Sequence, residues 1–192
     1  MKKIVAGVDE VGRGSLIGPV YAAAVIFKKN IKDKEIIDSK KIKKTKREII
    51  SKYIKKNSIW AIGSASLKEI ENFNILNASL LAMKRAIEKL KIKPNLILID
   101  GNKSPKIKNC LVKTVIKGDQ KIKEISAASI IAKVSRDKLM NKMSKKFKKY
   151  KWDLNAGYGT KEHIKAIKKY GITKFHRKTF KPVHKMLSLK KS

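Results

Sequence analysis

Lys3-Ile4-Val5-Ala6-Gly7-Val8-Asp9-Glu10-Val11-Gly12-Arg13-Gly14 opens as a short β-branched run, meets two acids and dissolves into glycines. The run reads as a buried strand, and the glycines as a loop extended by Gly18. Working outward, Val20 to Phe27 is a second apolar run and Ser58 to Ser66 a third. Asn95-Leu96-Ile97-Leu98-Ile99-Asp100 places four consecutive apolar residues before an acid, the mark of a central strand buried on both faces. Val112 to Ile116 gives a fifth strand, followed by Lys117-Gly118-Asp119. Three strands in succession, then strands alternating with helices, predict an α/β chain with a mixed sheet and helices on its faces.

The helices are read from caps and periodicity. Thr45-x-x-Glu48 and Ser66-x-x-Glu69 both fit capping boxes. The first predicts a helix over 46–57 with Ile49, Ile50, Tyr53 and Ile54 on one face. Leu76, Leu80, Met83, Ile87 and Leu90 step by three and four, which predicts a helix over 75–91 before Pro94. A long helix is expected over 125–146, its small apolar first half against the sheet and Ser126 as its cap. A last one is expected over 162–170.

The chain has 192 residues, enough for one compact domain. Lys and Arg number 49 against 15 Asp and Glu, a net charge of +34 that draws polyanions, nucleic acid first. Only five of the basic residues are Arg, and Lys, Ile and Asn abound, so part of the excess reflects A/T-rich coding and part a phosphate-binding surface. Cys110 is the single cysteine, which excludes an internal disulfide and a cysteine-based zinc site. Lys2-Lys3 precedes too short an apolar run for a secretory leader, and no run approaches the ~20 residues of a membrane span. A cytoplasmic, reduced protein is expected, with no membrane association.

Four of the fifteen acids, Asp9, Glu10, Asp100 and Asp119, lie at strand ends. Two carboxylates ~4 Å apart repel by roughly 4 kcal/mol at an effective dielectric of 20. If several converge, a cation must hold them, and all-oxygen ligation selects Mg2+ or Mn2+ over zinc. Two such ions would suit phosphodiester hydrolysis. Each acid taken singly also suits a loop cap. Gly12-Arg13-Gly14-x-x-x-Gly18 fits a dinucleotide fingerprint poorly, because its third glycine is one position late and Pro19 follows. Gly12 and Gly14 better suit close backbone approach to a ribose, whose 2′-hydroxyl is both donor and acceptor. A tight turn is the alternative.

Asp9 to Gly14, Asp38-Ser39-Lys40-Lys41, Leu98-Ile99-Asp100-Gly101-Asn102, Lys117-Gly118-Asp119 and Ile125 to Asp137 occur in one order, continued by Gly157-Tyr158 and His176-Arg177-x-x-Phe180-x-Pro182-Val183. Together they closely resemble bacterial ribonuclease HII over nearly the whole chain. The resemblance implies a ribonuclease H-like fold: a five-stranded mixed sheet flanked by helices, with a small helical C-terminal part. It implies a catalytic domain over 1–145 and a helical extension over 146–192 that completes the substrate groove. It implies endonucleolytic hydrolysis of the RNA strand of RNA–DNA hybrids, and incision 5′ to single ribonucleotides in duplex DNA. The ends would be 3′-hydroxyl and 5′-phosphate, and the role ribonucleotide removal from DNA.

Carried over, Asp9, Glu10, Asp100 and Asp119 match the family's metal-binding acids, with two Mn2+ or Mg2+ ions, Asp9 bridging both, and Glu10 contributing through either its side chain or its backbone. Gly12, Arg13 and Gly14 match the loop that reads the 2′-hydroxyl. Tyr158 matches the tyrosine that stacks on the sugar of the next nucleotide. Gly159 departs from the proline expected there, which loosens the turn that places Tyr158. Lys40 is a candidate phosphate contact. Asp137 reads as an ion-pair partner, Arg177 with Phe180 as packing, and His163, His176 and His184 lack metal spacing. A monomer is expected, with a sliding clamp as a candidate protein partner. The competing readings are a lysine-rich nucleic-acid binder without catalysis, and another two-metal nuclease such as a resolvase or integrase. Acids at strand ends disfavour the first; the glycine loop and Tyr158 disfavour the second.

Overall fold

The computed structural model describes residues 3–28, 36 and 43–188, so Lys40 and its Asp38-Ser39-Lys40-Lys41 segment lie outside the described residues. Among the described residues five strands form one sheet: β1 (Val5–Val11), β2 (Val20–Phe27), β3 (Ser58–Ala65), β4 (Leu96–Asp100) and β5 (Leu111–Val115), in the order β3-β2-β1-β4-β5. β1 pairs antiparallel with β2 and β2 with β3, whereas β1–β4 and β4–β5 are parallel. The sheet is therefore mixed, with helices on both faces, as expected of a ribonuclease H-like fold. β1 sits at its centre, which is why its apolar residues run almost unbroken.

Among the described residues six α-helices follow along the chain: α1 (Lys44–Asn57), α2 (Leu67–Glu88), α3 (Lys123–Lys146), α4 (Trp152–Asn155), α5 (Lys161–Tyr170) and α6 (Lys181–Ser188). One sheet face, with Ala6, Val8, Ala22, Ala24, Ile97 and Ile99, packs on Ala78, Ala82, Met83 and Ala86 of α2. The other face, with Ala23 and Val25, packs on Ala127, Ala128, Ile130 and Ile131 of α3 and on Ile50 and Ile54 of α1. Small residues on both sides let α3 lie close. Gly7 marks the tightest approach: a Cβ there would stand 2.0 Å from the backbone carbon of Glu124. A third core joins Leu16 and Ile17, just past the glycine loop, to Met140, Met143, Tyr150, Trp152, Ile167 and Val183. The loop is thus pinned to the C-terminal helices by apolar burial, worth ~1.5–3 kcal/mol per large side chain.

Of three caps read from the sequence, one is present and two are not. The Ser66 box is present, with Ser66 Oγ accepting from Glu69 N–H and Glu69 answering at the Ser66 N–H. α1, however, starts at Lys44, with Lys43 at its cap position and no side-chain cap, so Thr45 lies inside the first turn. Ser126 is also interior: α3 begins at Lys123, and Ser126 Oγ donates to the Ile36 carbonyl. The helix expected from residue 75 is the second part of α2, which breaks at Asn74 (φ 64°, ψ 169°). Asn74 Oδ1 accepts from the N–H groups of Leu76 and Asn77 at 2.9 and 3.1 Å, starting a new helical segment by side-chain capping.

Candidate active site

Parallel pairing of β1 and β4 in the register Val8↔Ile99 carries Asp9 and Asp100 side by side at the carboxyl ends of the sheet. Asp9 belongs to the α3 face, where Ser129 hydrogen-bonds its carboxylate. Glu10, next in the strand, points to the opposite face and leans on Arg13, whose Nη1 donates to Oε1 at 3.3 Å. The two acids also meet through the backbone: the Glu10 N–H donates to Asp9 Oδ1 at 2.7 Å. Asp100 Oδ1 accepts from the Gly118 N–H at 2.7 Å, which ties β4 to the 3-10 turn Gly118–Gln120.

Asp9, Glu10 and Asp100 line one cavity of ≈ 290 Å³ together with Gly12, Arg13, Gly14, Arg47, Ser129, Lys133 and Tyr158. Asp119 sits beside this group in the chain-linked turn but is buried, and it is not part of the cavity wall. Burial, and then the charge of Glu10, lift the Asp9 carboxyl well above the usual range, with Asp100 adding to the rise. Glu10 is also raised by burial, against the pull of Arg13. Among the described residues the acids do not close into a ready-made cage of three or more metal-ligating side chains. The donor set nevertheless fits a hard cation: oxygen atoms only, poorly solvated, and mutually repelling.

The glycine loop closes the cavity from the other side. Gly12 has φ +93°, and a Cβ there would lie 2.3 Å from Arg136 Nε, so the position is glycine for both conformation and space. Gly14 has no left-handed backbone, and a Cβ would only touch the Tyr158 ring at 3.7 Å. The loop is laced to two later segments. Ser15 pairs with Tyr158 and Ile17 with His176 as isolated bridges, and Arg177 N–H donates to the Leu16 carbonyl at 2.8 Å. The departure at Gly159 does not leave Tyr158 loose. Its N–H donates to the Asn155 carbonyl at 2.9 Å, and its carbonyl accepts from Thr160 N–H at 2.8 Å and faces His163 Nδ1 at 2.9 Å.

Beneath the loop lie residues the sequence reading passed over. Arg136 is fully buried and donates to the carbonyls of Ala156, Ile17 and Pro19 and to Ser15 Oγ. Arg177, read as packing against Phe180, does cover that ring at 4.9 Å, and it also donates to the carbonyls of Gly18 and Arg13 at 2.9 and 2.8 Å. Burial, with Arg136 nearby, brings the Arg177 guanidinium down to about 9. Trp152 Nε1 donates to His163 Nε2 at 3.0 Å, which fixes His163 as the Nδ1–H tautomer donating to the Tyr158 carbonyl. A signal for the arginines was available. A chain that uses Lys almost everywhere keeps Arg where a planar group with five donors is needed. Asp137 is the ion-pair partner expected, meeting Lys133 at 2.8 Å and Arg47 at 3.5 Å.

No described helix is long and apolar enough to cross a membrane. The family model described as Ribonuclease HII matches residues 6–183. The chain is 71% identical to the ribonuclease HII of Pelagibacter ubique over 185 residues, covering 96% of this chain and all of that one. Its structure resembles that of ribonuclease H2 from Pyrococcus horikoshii with a TM-score of 0.80 and 28% identity, over 98% of this chain and 99% of that chain. It also shares the fold of Bst-RNase HIII, solved in complex with Mn2+, at a TM-score of 0.71 and 16% identity, over 97% of this chain and 70% of that chain.

Proposed function

This chain belongs to the ribonuclease HII family, and we propose that its acidic cavity hydrolyses the RNA strand of RNA–DNA hybrids and incises duplex DNA 5′ to an embedded ribonucleotide, leaving 3′-hydroxyl and 5′-phosphate ends. One observation carries the reading: three carboxylates and the Gly12–Gly14 loop with Tyr158 face each other across a single cavity. A group that cuts and a group that inspects the sugar are within one nucleotide's reach.

Asp9, Glu10 and Asp100 would hold divalent ions, Mn2+ or Mg2+, with Asp119 supplied from the adjoining turn. A bound pair of such ions supplies an activated water and neutralises the leaving oxygen. The chain's own residues do the remaining work. Ser129 and the Glu10 N–H keep the Asp9 carboxylate aimed into the cavity. The Gly118 N–H holds one Asp100 oxygen and leaves the other for ligation. Gly14 lets a ribose approach the loop backbone, and the Tyr158 ring covers the neighbouring sugar, where an added 2′-hydroxyl would crowd it. Lys133 and Arg47, held by Asp137 at the cavity wall, place positive charge for the backbone phosphates.

The test is direct. A duplex with one ribonucleotide is incubated with the protein and Mg2+ or Mn2+, then with chelator. Cleavage 5′ to the ribonucleotide that stops on chelation is expected. Absence of cleavage with metal, or equal cleavage of an all-DNA duplex, would overturn the assignment. Binding itself should weaken steeply with salt as phosphate contacts release counterions.

A further inference from the structure

The Gly12–Gly18 loop is held by guanidinium groups that meet backbone rather than acids. Arg177 is completely buried, and its hydrogen-bond acceptors among the described residues are the carbonyls of Gly18 and Arg13. Its planar fork spans the loop, gripping one carbonyl near each end. Every described peptide bond is trans, so a carbonyl and the following N–H point in opposite directions. The Arg13 carbonyl is drawn inward to Arg177 Nη1 at 2.8 Å. The Gly14 N–H must therefore face away from the protein interior. Gly14 is exposed and forms part of the cavity wall in front of Tyr158, whereas Arg177 does not reach the cavity.

We propose that Arg177 is a positioning residue for sugar discrimination: by holding the Arg13 carbonyl, it turns the Gly14 N–H into the cavity as a fixed donor to the ribose 2′-hydroxyl. The inference rests on the reading of the glycine loop as the ribose reader. Arg136 anchors the opposite end of the device. It grips the Ile17 and Ala156 carbonyls at 3.2 and 2.8 Å, so the loop and the segment leading to Tyr158 share one rigid support. Neither guanidinium touches substrate. A lysine at 177 keeps a positive charge but cannot span both carbonyls in one plane.

The experiment compares wild type, Arg177→Met and Arg177→Lys, each first shown folded by circular dichroism and thermal melting. KM is measured for a duplex with one ribonucleotide, and Ki for the same duplex in all-DNA form as a competitive inhibitor. In wild type Ki should exceed KM. A wild-type ratio of one would defeat the ribose reading itself, independently of Arg177. Given discrimination in wild type, Arg177→Met should lower the ratio by about tenfold, the worth of one hydrogen bond to a substrate hydroxyl, through KM alone. Arg177→Lys should recover only part of it. A folded Arg177→Met that discriminates as wild type does would overturn the proposal, as would equal shifts in KM and Ki. Should neither variant fold, 15N-glycine-labelled wild type decides. The Gly14 amide signal should move with the ribonucleotide duplex and stay with the all-DNA duplex, and a signal that stays with both would overturn the proposal.

Discussion

The acidic wall of the cavity and the basic floor beneath the glycine loop are opposite solutions to buried charge. On the wall, Asp9 and Glu10 are raised by burial, with few partners to relieve them. On the floor, Arg136 and Arg177 are buried more deeply still, yet their protons are spread over the carbonyls of Arg13, Ile17, Gly18, Pro19 and Ala156. Backbone dipoles satisfy most of the arginine donors, although Arg177 Nη2 is buried without a hydrogen-bond partner among the described residues. Asp9 and Asp100 each receive one backbone N–H, from Glu10 and Gly118, which leaves their charge less compensated and suited to a cationic ligand. A charged group that needs a ligand marks chemistry; one satisfied by backbone marks architecture.

The largest effect expected from breaking this comparison is at Asp9. Asp9→Asn keeps the acceptor for the Glu10 N–H and removes the charge. Cleavage should fall by about a thousandfold or more, as for other members of a catalytic unit. The same substitution should raise Tm in chelator by a few degrees, on the order of 1 kcal/mol, because the repelling charge is gone. Divalent ions should then stabilise wild type and leave Asp9→Asn nearly unchanged. Lower Tm in chelator would show that Asp9 is structural.

Arg136→Met should act in the opposite sense. It removes the guanidinium from the Ala156, Ile17 and Pro19 carbonyls, the first two of which keep Ser15 Oγ as a donor, at ~1–3 kcal/mol for a buried group left unsatisfied. Urea unfolding should show a loss of about 3 kcal/mol, with no rescue by divalent ions. Metal-dependent recovery would mean the floor and wall are one coupled site.

The two regions should also respond to pH with opposite slopes. His176, beside Arg177 in the floor, is held down to about 4 from 6.5 by burial and then by His163. Between those values the unfolded chain binds a proton that the folded chain refuses, so this stability is whole above pH 6.5 and falls as pH drops toward 4. The loss is at most about 3.5 kcal/mol, at ~1.4 kcal/mol per unit. His163, also lowered by burial, adds in the same direction. Asp9 and Glu10 are raised, so their contribution is full below 3.8 and 4.5 and is lost as pH rises through the raised values. The two slopes oppose each other where both titrate, so Asp9→Asn, which removes an acidic contribution, should steepen the rise of the urea midpoint with pH in chelator.

How legible each region was in the sequence follows from the same physics. Strands β1 and β4 announced themselves because acids at the end of apolar runs are rare in a chain so rich in lysine. Asp9, Glu10 and Asp100 stood out for that reason, and parallel pairing of β1 with β4 brings them to one cavity. The floor stayed hidden because its partners are carbonyls, which every residue carries and no pattern displays. Arg136 lay in a helical segment and Arg177 in an irregular one, and neither has an acid at ion-pair spacing on a shared face. Thr45 and Ser126 misled because capping residues are also tolerated inside helices. Asn74 broke a helix without the Pro or Gly that usually signals it.

The smallest structural change tests the contact between the two regions. Gly12 and Gly14 look equivalent in the sequence, but only Gly12 is bound by a left-handed φ and by Arg136 beneath it. Gly14→Ala adds a methyl group 3.7 Å from the Tyr158 ring, an ordinary contact, with no backbone strain. Its Tm should stay within a few degrees of wild type, inside about 0.5–1 kcal/mol. The methyl nevertheless stands in the space between the loop backbone and Tyr158, where the proposed ribose site lies. Cleavage at a single ribonucleotide should fall severalfold through KM, with little change in affinity for all-DNA duplex. If Gly14→Ala cleaved as wild type does, the sugar would not pass between these groups, and Gly14 would belong to the architecture after all.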